Sequence, residues 1–221
     1  MKIRNLIIVV LCFSAASGRA EDKLIRVVNK DKVSNLTEIY YVRKQENSIK
    51  QGEYTLVGPD KKVYIQGTYF NSQRTGVWTF CRYSGELSRK FDFDKDSVVE
   101  YKLNEEDSTA VMVRSIDGWQ KKEVSSPPFP LYGDLNFIIG HNLTYPAKDK
   151  HDGVQGTVVV AILIDKSGVV VASGIKKGVD ELLDQEALRL ISQIPVWYPA
   201  VDNGKKMSCE FLIPVRFVLK K

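Results

Sequence analysis

The 221-residue sequence predicts an α+β protein, in which an all-β N-terminal domain precedes a smaller domain of alternating strands and helices. Three observations predict this fold class. Aromatic side chains recur two residues after glycines between positions 52 and 80, which is typical of short antiparallel hairpins. A proline-rich segment, 125–132, then interrupts regular structure. Beyond it lie two β-branched runs, an amphipathic helical segment and a last apolar run.

The first twenty residues are predicted to be a signal peptide, 1–20, that is removed during export. Lys2 and Arg4 precede an apolar stretch, 6–13, and small residues follow it as far as Ala20. This stretch is much shorter than the roughly 20 apolar residues that a membrane-spanning helix needs. We therefore expect cleavage after Ala20; retention of the segment as a membrane anchor is the alternative.

Charge and cysteine content narrow the classes of function. Removal of Lys2, Arg4 and Arg19 with the signal peptide lowers the formal net charge from +5 to +2. A chain so nearly neutral lacks the basic excess of nucleic-acid-binding proteins, so we expect no nucleic-acid partner. Cys81 and Cys209 remain after export. Two buried free thiols are the favoured interpretation, and a disulfide bridge between them is the alternative.

Residues 21–124 are predicted to form the N-terminal β domain. Gly52, Gly67 and Gly76 each stand two residues before an aromatic residue, and turn-forming residues separate these repeats. Four aromatic side chains are expected to stack into a thin core: Tyr54, Tyr69, Trp78 and Phe80. The segments expected to continue the sheet are 91–94, 98–103 and 110–116. The repeats resemble the MORN-like repeats of exported bacterial proteins, most clearly over 65–80.

Residues 133–221 are predicted to form an antiparallel sheet with two helices, entered through the stiff linker 125–132. The predicted elements are a short helix within 133–142, a hairpin of strands 157–164 and 169–175, a helix between Asp180 and Pro195, and a last strand over 207–218. The second helix carries its apolar residues on one face, which should pack on the sheet. Because Pro214 cannot donate to a ladder, the last strand should be an edge strand or be interrupted there.

The sequence offers no constellation that is typical of catalysis or metal binding. A calcium loop that opened at Asp92 would need glycine at Ser97 and glutamate at Leu103, so that pattern fails. His141 and His151 are the only histidines, and neither has cysteines or carboxylates at ligand spacing. We therefore expect no catalytic residue, no metal and no cofactor, and we predict that the protein is not an enzyme.

Several short motifs occur in one order in the C-terminal part. They are the Tyr-Pro pair 145–146, the strand start 156–160, the turn 165–170, the helix segment 182–188, the Pro-x-Trp-x-Pro segment 195–199, the turn 203–205 and the terminal segment 214–217. Together with the entry segment 130–133, they resemble the TonB C-terminal domain over residues 127–218. Each motif is weak alone, whereas their shared order is specific.

This resemblance implies a periplasmic protein-binding domain. In that family the last strand adds to a short extended segment of an outer-membrane receptor, so that main-chain groups give affinity and alternate side chains give selectivity. Carried onto this chain, the resemblance places the contact strand at 208–216. The binding residues it implies are Ser208, Glu210, Phe211, Leu212, Ile213 and Arg216. The sequence does not decide which of these side chains point outward.

We predict from this resemblance a periplasmic adaptor that binds a TonB-dependent outer-membrane receptor or another envelope protein. Transducers of the family use an N-terminal anchor to contact an inner-membrane motor and a long proline-rich spacer to cross the periplasm. Here a short signal peptide and a β domain are expected in their place, so contact with the motor is not predicted. An energy transducer anchored in the inner membrane is the alternative, and a homodimer is a further partner hypothesis.

Overall fold

The computed structural model describes residues 10–11, 23–32, 34–103, 110–115, 117–194 and 196–219. The chain forms two compact units, Met1–Leu103 and Asn104–Lys221. One unit is all β and the other combines helices with strands, so the predicted α+β fold class is confirmed. Apart from Val10–Leu11, the predicted signal peptide lies outside the described residues. No described helix is long and apolar enough to span a membrane.

The N-terminal unit is one antiparallel sheet in which each strand pairs with its neighbours in the sequence. Its strands are β1 (Val10–Leu11), β2 (Leu24–Lys30), β3 (Thr37–Arg43), β4 (Lys50–Val57), β5 (Val63–Phe70), β6 (Gln73–Cys81), β7 (Leu87–Asp92) and β8 (Ser97–Tyr101). Turns connect the consecutive strands from β3 to β8, as the hairpin repeats predicted. The likeness to MORN-like repeats stays a resemblance.

The aromatic core of this unit is centred on Trp78, whose side chain is completely buried. Tyr54 stacks on Trp78 with a ring-centroid distance of 5.4 Å, and Tyr69 meets the same ring edge-on at 5.1 Å. Three of the four predicted core rings are thus in contact, and Phe80 is also buried. Gly67 lies against the indole: a Cβ built there would be 2.1 Å from Trp78 Cδ2. Gly67 therefore makes room for the Trp78 ring on the neighbouring strand.

The acidic segment that follows β7 forms a turn. Asp92 is buried, and one of its carboxylate oxygens accepts the backbone N–H groups of Asp94 and Lys95. Lys95 Nζ also lies 3.4 Å from the other carboxylate oxygen. Within the described ranges, no group of three or more histidine, cysteine or acidic residues is arranged to hold a metal ion. The segment 91–94, which was expected to continue the sheet, is a strand only as far as Asp92, and residues 93–96 form the turn.

The C-terminal unit contains three helices and nine strands among the described residues. They are β9 (Ala110–Ser115), β10 (Gly118–Glu123), β11 (Phe129–Pro130), α1 (Leu135–Asn142), α2 (Ala147–Asp152), β12 (Gly156–Ile164), β13 (Val170–Lys177), α3 (Glu181–Ser192), β14 (Trp197–Tyr198), β15 (Ala200–Asp202), β16 (Lys205–Met207) and β17 (Cys209–Phe217). The main sheet has the order β10-β9-β17-β12-β13, and all its strands are antiparallel. Two small pairs, β11–β14 and β15–β16, complete the unit.

The helices begin where the sequence indicates. Asp134 caps α1 by accepting the N–H of Phe137, and Asp180 caps α3 by accepting the N–H of Leu182. Helix α2 was not predicted, because its largely charged sequence lacks apolar periodicity. Its C-cap, Gly153, has φ 73°, a left-handed conformation that favours glycine.

One strand lies in a different sheet from the one predicted. The segment 110–116 was expected to continue the N-terminal sheet, but β9 pairs with β17, and its Val111 and Val113 are buried in the C-terminal core. The sequence also placed the domain boundary after residue 124, whereas the chain divides after Leu103. Apolar alternation shows that a segment is a half-buried strand but does not say which sheet it joins.

The predicted linker 125–132 pairs with the C-terminal unit. Ser126 forms a β-bridge with Val201, and β11 pairs with β14. The ring centroids of Phe129 and Tyr198 are 5.2 Å apart. The segment is therefore held along its length by backbone and aromatic contacts within this unit.

Helix α3 packs its apolar face on β12 and β13. Leu183, Ala187 and Leu190 of the helix are buried with the inward side chains of the sheet. At the rim of this contact, Glu186 accepts hydrogen bonds from Arg189 and from the backbone N–H of Thr144, at 2.6–2.7 Å. Burial opposes the charge of Glu186, but these hydrogen bonds outweigh it and lower the pKa of the carboxyl. The pair ties the loop after α1 to α3.

Asp149 of α2 is a buried carboxyl group without a hydrogen-bond partner among the described residues. Its side chain is fully buried, and both carboxylate oxygens are unsatisfied. Burial, and next the negative charge of Asp180, raise the pKa of Asp149 above its ordinary value. The folded protein therefore favours the protonated form of Asp149, and ionisation of this group at higher pH opposes folding.

Cys81 and Cys209 are not joined by a disulfide bond. Cys209 is fully buried in the C-terminal core, and burial raises the pKa of its thiol while a backbone hydrogen bond with Ala200 opposes this shift. Cys81 is only partly buried. The prediction of a buried thiol agrees with Cys209 but not with Cys81.

Substitution of Gly67 by alanine should destabilise the N-terminal unit by about 1–3 kcal/mol, because its Cβ would overlap the Trp78 ring. Denaturant unfolding followed by tryptophan fluorescence measures this change. Gly174→Ala is the matched strand control, since a Cβ there meets no heavy atom within 4 Å. Equal stability of the Gly67 variant and the wild type would show that the close approach of Trp78 to Gly67 does not require a glycine.

Substitution of Asp149 by asparagine should raise the unfolding midpoint by a few degrees near pH 7.5, and the gain should shrink as the pH approaches 4. The folded-state pKa of Asp149 is raised, so the wild type loses stability as the pH rises from the unfolded to the folded pKa. The variant has no such loss. Calorimetry of the full chain between pH 4 and 8 measures the difference.

Asp152→Asn is the control for this measurement, because Asp152 is exposed and only pairs with Lys148 at 3.6 Å. Its effect should be small at every pH. A stability gain for Asp149→Asn that did not depend on pH would contradict a raised pKa of Asp149 in the folded protein.

Candidate strand-docking edge

The last strand, β17, lies inside the main sheet for only part of its length. On one side it pairs with β12 through nine consecutive residues without a register shift. On the other side β9 pairs with it only at Cys209 and Glu210. Residues 211–215, called the open stretch below, have no strand partner on the β9 side within the described part of the chain. The predicted edge strand is thus corrected at its start, where β9 covers it.

The two faces of β17 differ in exposure. Ile213 and Val215 are fully buried against the helices, and Phe211 is partly buried on the same face. Leu212 is 44% exposed on the opposite face. Of the predicted binding residues, Glu210 and Arg216 share the face of Leu212, whereas Ile213 shares the face of Phe211. The outward face that the sequence left open is therefore the one that carries Leu212.

The backbone of β17 presents hydrogen-bonding groups to alternate sides. The N–H of Arg114 donates to the C=O of Ser208 at 3.0 Å, so the backbone of Ser208 faces β9. In an antiparallel strand every second residue faces the same neighbour, so Leu212 and Pro214 also direct their backbone groups to the β9 side. Leu212 thus offers an N–H and a C=O to an added strand, and Pro214 offers a C=O.

The position of Pro214 follows from this alternation. Proline has no N–H, and in the interior of a sheet it removes a ladder hydrogen bond. At 214 the missing N–H falls on the open side, so the ladder between β12 and β17 continues through the pair Val159–Pro214. The expectation that Pro214 marks an edge or an interruption is met by the open stretch.

The surroundings of the open stretch are mainly apolar. The Phe211 ring lies 6.2 Å from the Trp197 ring in an edge-on arrangement. Glu210 Oε1 lies 3.6 Å from Lys176 Nζ, beyond the open stretch. The chemistry available here is main-chain hydrogen bonding combined with contacts to apolar side chains.

The outer strands of the same sheet are less suited to strand addition. Strand β13 exposes 62% of Val171, but it ends in the exposed Lys176 and Lys177, and two register shifts interrupt its pairing with β12. Strand β10 is exposed along most of its length and carries Lys121 and Lys122. Lysines and bulges are devices that discourage edge-to-edge association.

Sequence reasoning predicted both β17 and β9 as strands but did not predict that they pair with each other. The alternating valines Val111 and Val113 were visible as a strand signal, yet the signal does not name a partner. The sequence also gave no indication that Ser208 and Glu210 contact a neighbour within the chain.

One family model matches the chain, and its description is Gram-negative bacterial TonB protein C-terminal. The match covers residues 141–219, which contain α2, β12, β13, α3 and β14–β17, but not β9 or β10. No curated protein and no solved structure matches the chain significantly. Proteins of this family are envelope-associated in Gram-negative bacteria, and their C-terminal domains interact with outer-membrane receptors. The C-terminal unit of this chain therefore contains a domain of the TonB C-terminal family.

Proposed function

We propose that this protein is a periplasmic protein-binding protein, which docks an extended segment of an outer-membrane receptor or another envelope protein by strand addition to β17. The observation that carries this proposal is the open stretch, 211–215, which lies within the matched domain and faces no described strand on one side. A sheet edge of this kind is a template for another chain. The predicted signal peptide supports the periplasmic location.

Strand addition uses two kinds of contact. The N–H and C=O of Leu212, and the C=O of Pro214, form hydrogen bonds with the backbone of the incoming segment. The half-exposed Leu212 side chain contacts the incoming residues on its own face. The backbone bonds favour any extended segment, so the apolar contact supplies the selectivity. This binding needs no catalytic group and no cofactor.

A photoreactive residue in place of Leu212 should capture an outer-membrane receptor in intact cells. The same residue at Val171, on the opposite edge of the sheet, is the control, because it is also exposed but lies on β13. Mass spectrometry of the adducts identifies the captured proteins. Adducts with only a second copy of this chain would indicate a homodimer and contradict receptor docking, as would equal capture of receptors from both positions.

A backbone substitution tests strand addition itself. Leu212→Pro removes the N–H that faces the open side and should weaken receptor binding about tenfold or more, because a hydrogen bond is lost and its acceptor is left unsatisfied at a cost of roughly 1–3 kcal/mol. Leu212→Ala keeps the N–H and should weaken binding only about threefold. Co-purification of the receptor captured from position 212 measures both effects.

The proline at 212 should leave the domain folded, since that N–H does not face β12 and Pro214 already occupies an equivalent position. Phe211→Pro is the contrasting variant. Its N–H faces β12, so its loss should lower stability. Equal binding by the Leu212→Pro and Leu212→Ala variants would exclude docking through the backbone of this edge.

A further inference from the structure

Strand β9 already occupies the first part of the edge at which docking is proposed. It pairs antiparallel with Cys209 and Glu210, in the position that an added strand would take. This inference rests on the function proposed above. We infer that β9 stays paired with β17 while a partner segment is bound. The incoming segment adds to the open stretch, 211–215, end to end with β9, and does not replace it.

Burial holds β9 in place. The exposed fractions of Val111 and Val113 are only 4% and 1%, and both side chains belong to the core that the sheet and α3 share. Displacing β9 would expose these two side chains and leave the core open beside Cys209, which is fully buried. A docking segment that replaced β9 would have to refill this space with side chains of matching size.

Strand β10, which forms a hairpin with β9, also contacts the rest of the domain. Strand β10 pairs with β9 through six residues, and Lys122 Nζ lies 2.7 Å from an Asp202 oxygen. Ser125 and Ser126, which follow the hairpin, contact the β15–β16 region through a side-chain hydrogen bond with Asp202 and a β-bridge with Val201. The hairpin is thus joined to the rest of the domain at the C-terminal end of β10.

The contact between β9 and β17 stops at a defined point. Met112–Glu210 is the last residue pair between the two strands, although β9 extends as far as Ala110. Beyond this pair, β17 is uncovered on the β9 side. Leu212 and Pro214 direct their backbone groups to that side. Strand β9 lies outside the matched region, 141–219. By covering Cys209 and Glu210, it leaves a docking edge that is shorter than β17.

The partner that fits is a short extended segment that is uncharged over Leu212 and Pro214. These two exposed side chains form the only face of the open stretch on which an incoming side chain can rest, because Ile213 and Val215 are buried on the other face. A segment about as long as the open stretch fills the site. A longer strand would meet the end of β9.

A disulfide between β9 and β17 tests whether β9 stays during docking. Val113 is the register partner of Cys209. The Arg114–Ser208 hydrogen bond makes 113–209 the non-hydrogen-bonded type of pair, in which the side chains are closest. Val113→Cys, in a Cys81→Ser background that removes the other thiol, should therefore bridge to Cys209 when two electrons pass to an added oxidant such as diamide.

Photocrosslinking from position 212 is then compared in the oxidised and reduced chains. We expect the same outer-membrane adduct with a yield that differs less than twofold. A loss of about tenfold on oxidation, reversed by dithiothreitol, would overturn the inference and leave the proposed function intact. Absence of the adduct in the reduced chain as well would reject the proposed function, and this inference with it.

A second measurement uses the Val113→Cys chain in cells that lack or overproduce the captured receptor. If β9 stays paired with β17, the fraction of chains with the 113–209 disulfide should be the same in both, as judged on non-reducing gels. A lower fraction in the overproducing cells would show that docking removes β9. Failure of the disulfide to form in any cells would show that β9 does not lie beside β17, and would also overturn the inference.

Discussion

The antiparallel ladder between β12 and β17 is the constraint on which the C-terminal unit depends. Its nine register pairs fix which side chains of β17 enter the core and which side of its backbone remains available. Buried side chains on both strands, such as Val160 and Ile213, then form the surface on which α3 packs. A one-residue slip would turn the buried face outward, so the hydrophobic pattern holds the register. The direction of the Leu212 backbone is a consequence of that register.

A strand that is paired on only one side exposes backbone groups that can pair with other chains. In this sheet the two outer strands carry lysines or bulges, whereas β17 is covered by β9 at its start and carries Pro214 further on. Both devices shorten the stretch of unpaired backbone. Among the described residues, β17 therefore keeps only a short stretch of accessible backbone, and the lysines and bulges limit unspecific association along the outer strands.

The sequence predicted the elements better than their arrangement. The aromatic spacing around Trp78, the caps Asp134 and Asp180, and the strands on either side of the turn at Gly168 follow from local rules of conformation and periodicity. The sheet to which β9 belongs does not follow from such rules, because Val111 and Val113 fit the inner face of either sheet. The buried Asp149 was equally invisible, since its burial results from tertiary packing around a short polar helix.

The shortness of the open stretch changes how binding at this edge should be understood. Each main-chain hydrogen bond contributes only about 1 kcal/mol net in water, and Pro214 cannot donate one. A few such bonds do not offset the entropy lost when a flexible segment becomes an ordered strand. Side-chain contacts must supply the remainder, and Leu212 and Pro214 are the exposed apolar groups placed to make them. A short edge of this kind therefore favours partners with a matching apolar side chain over extended segments in general, because the backbone alone binds too weakly.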